Sequence, residues 1–150
     1  MSRVSRGDVS MTPKLSVIIP AFNEEGNIER VLDRIDEGLR TAGVTGEVVF
    51  VDDGSTDGSR DKLARESAAR PHLRAFRHRR NLGLSEALNT GFRNVRGEYV
   101  IFLPADLQSD PAEDIPKIVA ELEKGPYAMV VGAQELLLGD VARHQRAVQG

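Results

Sequence analysis

Short apolar runs and longer amphipathic stretches alternate along this chain. Lys14–Pro20, Glu47–Val51 and Glu98–Leu103 are rich in β-branched and aromatic residues and stop abruptly at proline, acids or glycine. That is the pattern of strands buried in a parallel sheet. Leu73–Arg77 alternates apolar and polar positions and reads as a half-buried strand, and Tyr127–Gly132 reads as a fifth. Between the first two strands, Ile28, Val31, Leu32, Ile35 and Leu39 share one helical face. Asn23 is the expected N-cap of that helix, with Glu24 and Glu25 in the first turn where the dipole favours anions, and Gly43 and Gly46 end it. Thr56–Ala69 is a second helix, closed by Pro71. Gly83–Val95 is a third, with Leu84, Ala87, Leu88, Gly91 and Phe92 on one side. Asp110-Pro111-Ala112-Glu113 has the form of a capping box with proline at the first helical position. Pro116 would fall inside a helix begun there, which moves the expected start toward Asp114 and leaves Ile115–Lys124 as the last helix.

Strands alternating with helices of this length build βαβ units, whose right-handed crossovers give an α/β fold with a mostly parallel sheet and flanking helices. The 150 residues, 40% hydrophobic and 29% charged, suit one domain whose core needs no staple. There is no cysteine, which excludes disulfides and thiolate metal sites. A net charge of −3 gives no global footprint for nucleic acid. No apolar run approaches the roughly 20 residues of a membrane span. Residues 1–13 read as a disordered leader, 14–132 as the domain, and 133–150, where the periodicity dissolves, as an irregular or lone-helix tail.

The chemistry gathers at the strand ends. Val51-Asp52-Asp53-Gly54-Ser55-Thr56 places two acids at the end of a buried strand. Helix capping accounts for one acid and the serine, but two adjacent carboxylates there call for a hydrogen-bonded or cationic partner. Leu103-Pro104-Ala105-Asp106-Leu107-Gln108 ends another strand, and Asp106 and Gln108 offer oxygens suited to a hard divalent cation. Turn capping by Asp106 and a solvated Gln108 are the plain alternatives. Phe22, just beyond the first strand, is either core or a platform for a nucleobase. Arg77-His78-Arg79-Arg80 is either a solvated face or a set of cations for a diphosphate. His72, His78 and His144 show no metal-ligand spacing. In open α/β sheets ligands sit at the carboxyl ends of the strands, so these motifs share one edge.

Four ordered segments carry a resemblance: Val17–Glu25, Val51–Gly58, Asn81–Leu84, and Gly97–Val100 with Ala105–Gln108. Together they resemble the inverting glycosyltransferases of family 2, and most of all the polyprenyl-phosphate (dolichol-phosphate mannose-type) sugar transferases, over about residues 14–132. The resemblance implies a GT-A fold, of which this chain would be the donor-binding half. It further implies a nucleotide-diphosphate sugar as donor and a divalent cation, Mg²⁺ or Mn²⁺. A polyprenyl phosphate is the implied acceptor, which puts the protein in the cytoplasm or at the membrane face of the cell envelope. Carried over by position, Pro20, Ala21, Phe22, Glu24, Asp53 and Gly83 would surround the nucleotide, with Asp53 accepting from the base. Asp106 would be the catalytic and metal-facing acid, with Gln108 beside it. Two departures stand out. Pro104 occupies a position where the family commonly has an acid, so one metal ligand is lost or replaced by water. Gly132-Ala133-Gln134-Glu135 stands where relatives often show a Gly-Ser-Arg-like segment.

A sugar transferase is therefore the leading expectation, with a non-catalytic, truncated nucleotide-sugar-binding remnant as the alternative. A phospho-receiver module would place its acids after the first and third strands, whereas these follow the second and fourth. A dinucleotide dehydrogenase fails because Pro20–Gly26 contains no Gly-x-Gly-x-x-Gly.

Overall fold

The computed structural model describes residues 12–125 and 129–131. They form β1 (Leu15–Ala21), α1 (Ile28–Ala42), β2 (Gly46–Asp52), α2 (Ser59–Ala69), β3 (Leu73–Arg77), α3 (Leu84–Asn94), β4 (Tyr99–Phe102), α4 (Pro111–Lys124) and β5 (Met129–Val131). Residues 1–11 of the expected leader, the expected tail at 133–150, and Tyr127, Ala128 and Gly132 of the expected fifth strand lie outside the described residues.

All strand pairs are parallel, in the order β3-β2-β1-β4-β5. The chain winds outward from β1 through β2 to β3, then crosses back over the sheet on α3 to β4. Such a reversal makes a switch point, and the crevice outside the carboxyl ends of the strands is where this architecture receives ligands. β1 and β2 run in register from Leu15↔Gly46 to Ala21↔Asp52, so their ends emerge side by side. β4 stops opposite Ile18, three residues short of the end of β1.

The period-two alternation of the strands splits the core between two faces. Leu15, Val17, Ile19, Val48 and Phe50 pack with the apolar side of α1 and with Ile115, Val119 and Leu122 of α4. Ile18, Val49 and Val51 face the other way, onto Ala87 of α3. Each fully buried aliphatic side chain of this kind contributes about 1.5–3 kcal/mol. The α1 stripe is buried as the spacing predicts, and Gly43 closes the helix in the left-handed region at φ 70°.

Four local expectations need correction. α1 starts at Ile28, after Asn27, and its first-turn acid is Glu29. Asn23 instead sits at φ 54° and spends its side chain on the neighbouring loop. α2 starts at Ser59, because the N–H groups of Thr56, Asp57 and Gly58 donate to side chains of Asn23 and Glu25. On α3 the inward face is Ala87 and Gly91, while Leu84 is 62% exposed and Phe92 lies at the surface. Small residues let this helix approach the sheet: a Cβ on Gly91 would lie 2.5 Å from Ile18 Cγ2. Finally, α4 does start at Pro111. Asp110 caps it by accepting from Ala112 N at 3.1 Å, and the helix runs through Pro116 at the cost of one hydrogen bond.

Candidate functional site

The loops that follow β1 and β2 are tied together. Asn23 N donates to Ser55 Oγ at 2.8 Å, and Asn23 Oδ1 accepts from Thr56 N at 2.8 Å. Glu25 Oε1 accepts from Gly58 N at 2.9 Å, and Asp53 N donates back to Ala21 O at 2.8 Å. One edge of the future site is thus a rigid double loop rather than two free ones.

The two acids after β2 take different work. Asp52 Oδ1 accepts from Ser55 N at 2.9 Å and closes the turn, with Arg77 Nε 3.6 Å from its other oxygen. Asp53 reaches across to the segment before α3. Its Oδ1 accepts from His78 Nδ1 at 2.8 Å and Leu82 N at 2.9 Å, and its Oδ2 accepts from Gly83 N at 2.9 Å. Burial pushes the Asp53 carboxyl upward, but the donations from Leu82, His78 and Gly83 outweigh it and hold the group below the usual carboxylate range. Asp53 is therefore an ionised, acceptor-only group. Glycines make this contact possible. Gly83 adopts φ 101°, open to glycine alone in practice, and a Cβ on Gly54 (φ 75°) would lie 2.2 Å from the backbone of Arg80.

Pro20, Ala21, Phe22, Asp53, Asn81, Gly83, Leu84 and Ala87 line a cleft of about 280 Å³ at this edge. Five of the six residues expected at the nucleotide converge there. The sixth, Glu24, does not line it and accepts from Asn27 Nδ2 at 2.8 Å. Phe22 is 42% exposed, so it is a cleft wall rather than core. Of the basic run, Arg79 and Arg80 are exposed, Arg77 is directed at Asp52, and His78 is turned inward.

Asp106 and Gln108 lie on the loop after β4, and both are exposed. Asp106 Oδ1 accepts from Gln108 N at 3.2 Å, with Leu107 between them at φ 59°. Gln108 lines a second cleft, of about 570 Å³, with Arg30, Asp33, Arg34 and Asp110. Asp106 lines neither cleft. The base of the loop is clamped by Arg34, whose Nε and Nη2 donate to Asp110 Oδ1 and Oδ2 at 2.9 and 2.7 Å. Among the described residues no three of His, Cys, Asp and Glu cluster as a metal site. One exposed carboxylate with a neighbouring amide still suits a hard cation of the Mg²⁺ type, which takes one or two carboxylates and completes its shell with water and substrate phosphates.

Two further side chains join the network at this edge: His78, offered by the sequence only as one member of the basic run Arg77–Arg80, and Thr90, which the sequence does not single out and whose Oγ1 lies 2.7 Å from His78 Nε2. Their signal was slight, a histidine at the end of an alternating strand and a threonine one helical position away from the apolar stripe.

Residues 16–146 match the sequence profile of Glycosyl transferase family 2. The chain belongs to that family. An undecaprenyl-phosphate 4-deoxy-4-formamido-L-arabinose transferase of Klebsiella pneumoniae is 39% identical over 113 residues, 75% of this chain and 34% of that protein. Its counterpart in Salmonella paratyphi B is 34% identical over 119 residues, 79% of this chain and 36% of that protein. The chain thus spans about a third of the length of these curated relatives. Among solved structures, the mannosyltransferase PcManGT of Pyrobaculum calidifontis, in complex with GDP-Man and Mn²⁺, superposes with a TM-score of 0.56 at 36% identity, covering 63% of this chain and 28% of that one. S. aureus TarS 1-349 in complex with UDP-GlcNAc gives 0.60 at 26% identity, covering 74% and 31%. The α/β architecture is that of the GT-A glycosyltransferases, as the family resemblance implied.

Proposed function

We propose that this family 2 chain binds the nucleoside diphosphate of a sugar donor in the cleft between Phe22, Asp53 and Gly83. We further propose that it serves the inverting transfer of that sugar to a polyprenyl phosphate. The observation that carries the reading is the state of Asp53: ionised, held by three donors, and set in the wall of an open cleft at the carboxyl ends of β1 and β2. A carboxylate has about four lone-pair positions, so one remains on Oδ2 for an N–H of the ligand. Phe22 offers a ring face to a base, and Pro20 and Ala21 shape the floor. PcManGT holding GDP-Man and TarS holding UDP-GlcNAc support a nucleotide sugar as donor. The undecaprenyl-phosphate transferases support the acceptor class.

In this reading Asp106 and Gln108 would hold a divalent cation for the diphosphate. The cation, when bound, neutralises the charge that develops on the leaving nucleoside diphosphate. Inversion is a single displacement. An acceptor phosphate oxygen bonds to the anomeric carbon while the bond from that carbon to the diphosphate oxygen breaks on the opposite face. A phosphate acceptor is already anionic at neutral pH, so the step calls for no general base. Transfer to a lipid phosphate places the work at a membrane surface.

One observation favours the second reading, a nucleotide-sugar binder without turnover: Pro104, whose side chain cannot ligate a metal, stands two residues before Asp106, where the family resemblance implies an acid. Thermal shift with UDP, GDP, CDP and ADP, with and without Mn²⁺, followed by transfer of labelled sugar to polyprenyl phosphate, separates the readings. Stabilisation by a nucleoside diphosphate together with transfer supports the enzyme. Stabilisation without transfer supports the binder, and no stabilisation by any of the four at millimolar concentration overturns both.

A further inference from the structure

We infer that His78, braced by Thr90, is the positioning residue that aims Asp53 into the nucleotide cleft; the inference rests on the proposed nucleotide reading of that cleft. His78 ends up inward because its backbone continues the ladder beyond β3, with His78 N donating to Asp52 O at 2.9 Å. Its side chain is only 11% exposed. The ring spans two elements, Nδ1 lying 2.8 Å from Asp53 Oδ1 and Nε2 lying 2.7 Å from Thr90 Oγ1 on α3.

Asp53 is an acceptor only, so the hydrogen between it and the ring resides on Nδ1. In the neutral ring Nε2 is then the acceptor and the Thr90 hydroxyl donates to it. The order of donors runs Thr90 to His78 to Asp53. With His78 and Leu82 N both on Oδ1, that oxygen is filled. The unfilled position falls on Oδ2, which Gly83 N holds from one side.

A hydroxyl, an imidazole and a carboxylate in line also describe a nucleophilic triad, but the direction here is reversed. In a triad the hydroxyl meets the ligand and the carboxylate lies behind the imidazole. Here Asp53 lines the cleft, while neither His78 nor Thr90 does. The arrangement positions an acceptor and activates no nucleophile.

The test reads ring chemistry, loop order and affinity in the full chain. ¹⁵N spectra of the histidine ring should show the Nδ1–H tautomer at pH 8; an Nε2–H tautomer overturns the inference. In His78→Ala the amides of Leu82 and Gly83 should exchange faster than in wild type, and unchanged exchange overturns it. Both readouts need no ligand, so they decide the positioning role even if no nucleoside diphosphate binds and the nucleotide reading itself fails. Where binding is found, His78→Ala should weaken it tenfold or more and Thr90→Val severalfold. His78→Asn, whose amide N–H replaces Nδ1–H, should recover most of the loss, whereas His78→Gln should not. In an Asp53→Asn background His78→Ala should cost no further affinity; additive losses would show that His78 acts through the fold alone and overturn the inference.

Discussion

The sheet carries buried carboxylates at both ends of its strands, and the contrast between Glu47 and Asp53 separates a fully bonded acid from one on the wall of an open cleft. At the amino ends of the strands, Glu47 is 5% exposed, and all four of its lone-pair positions are taken. Ser16 Oγ and Arg96 N donate to Oε2 at 2.6 and 2.7 Å, and Arg74 Nε and Nη2 donate to Oε1 at 3.2 and 2.7 Å. Arg74 in turn donates to Asn94 O, so β1, β2, β3 and the end of α3 are joined through one group. At the carboxyl ends, Asp53 is 4% exposed but has three donors and one open position. The roomier cavity, about 530 Å³, adjoins Glu47, yet that carboxylate has nothing left to offer a ligand. Vacant bonding capacity on the wall of an open cleft, not cavity size, distinguishes Asp53 from Glu47.

The largest effect should come from Glu47→Gln. An amide cannot balance Arg74 and turns an N–H₂ toward existing donors, so the fold should lose about 3 kcal/mol, the low end for removing one partner of a buried pair. Urea denaturation measures this, and nucleotide affinity of the folded protein should hold. A loss of affinity at constant stability would erase the distinction between the edges. Asp53→Asn should cost less stability, about 1–3 kcal/mol for the unsatisfied groups it leaves, but should weaken nucleoside diphosphate binding at least tenfold by calorimetry. A smaller effect is the acid response. For both carboxylates burial raises the pKa, but the donors prevail and hold it below the ordinary value. Such groups stabilise the fold fully above their unfolded pKa of about 4 and lose that contribution as pH falls through the lower, folded values. Stability should therefore decline below about pH 4, and more gently in Glu47→Gln.

The sequence was informative where local pattern and tertiary structure agree. The strand runs and the Ile28–Leu39 stripe each satisfy one periodicity, and they became β1, β2, β4 and α1 with small shifts at their ends. Convergence of Pro20, Phe22, Asp53 and Gly83 was legible because parallel strands deliver their carboxyl ends to one edge. What escaped was set by contacts between distant segments. Asn23 has the chemistry of a helix cap, but the loop at Thr56 and Asp57, 33 and 34 residues away, claims its side chain. Leu84 and Phe92 fit an apolar stripe, yet the close approach at Gly91 turns them to the rim. His78 gave no spacing signal because its partners, Asp53 and Thr90, come from a strand end and a helix that only the fold brings together.

The central claim is that the Asp53 edge, and not the Glu47 edge, receives the nucleotide. Backbone amide shifts followed by NMR while GDP or UDP is titrated with diamagnetic Mg²⁺ test it most directly. The account predicts perturbations concentrated at Ala21, Phe22, Asp53, Leu82 and Gly83, with Glu47, Arg74 and Arg96 unmoved. Shifts centred on Glu47, Arg74 and Arg96, with Leu82 and Gly83 silent, would contradict it.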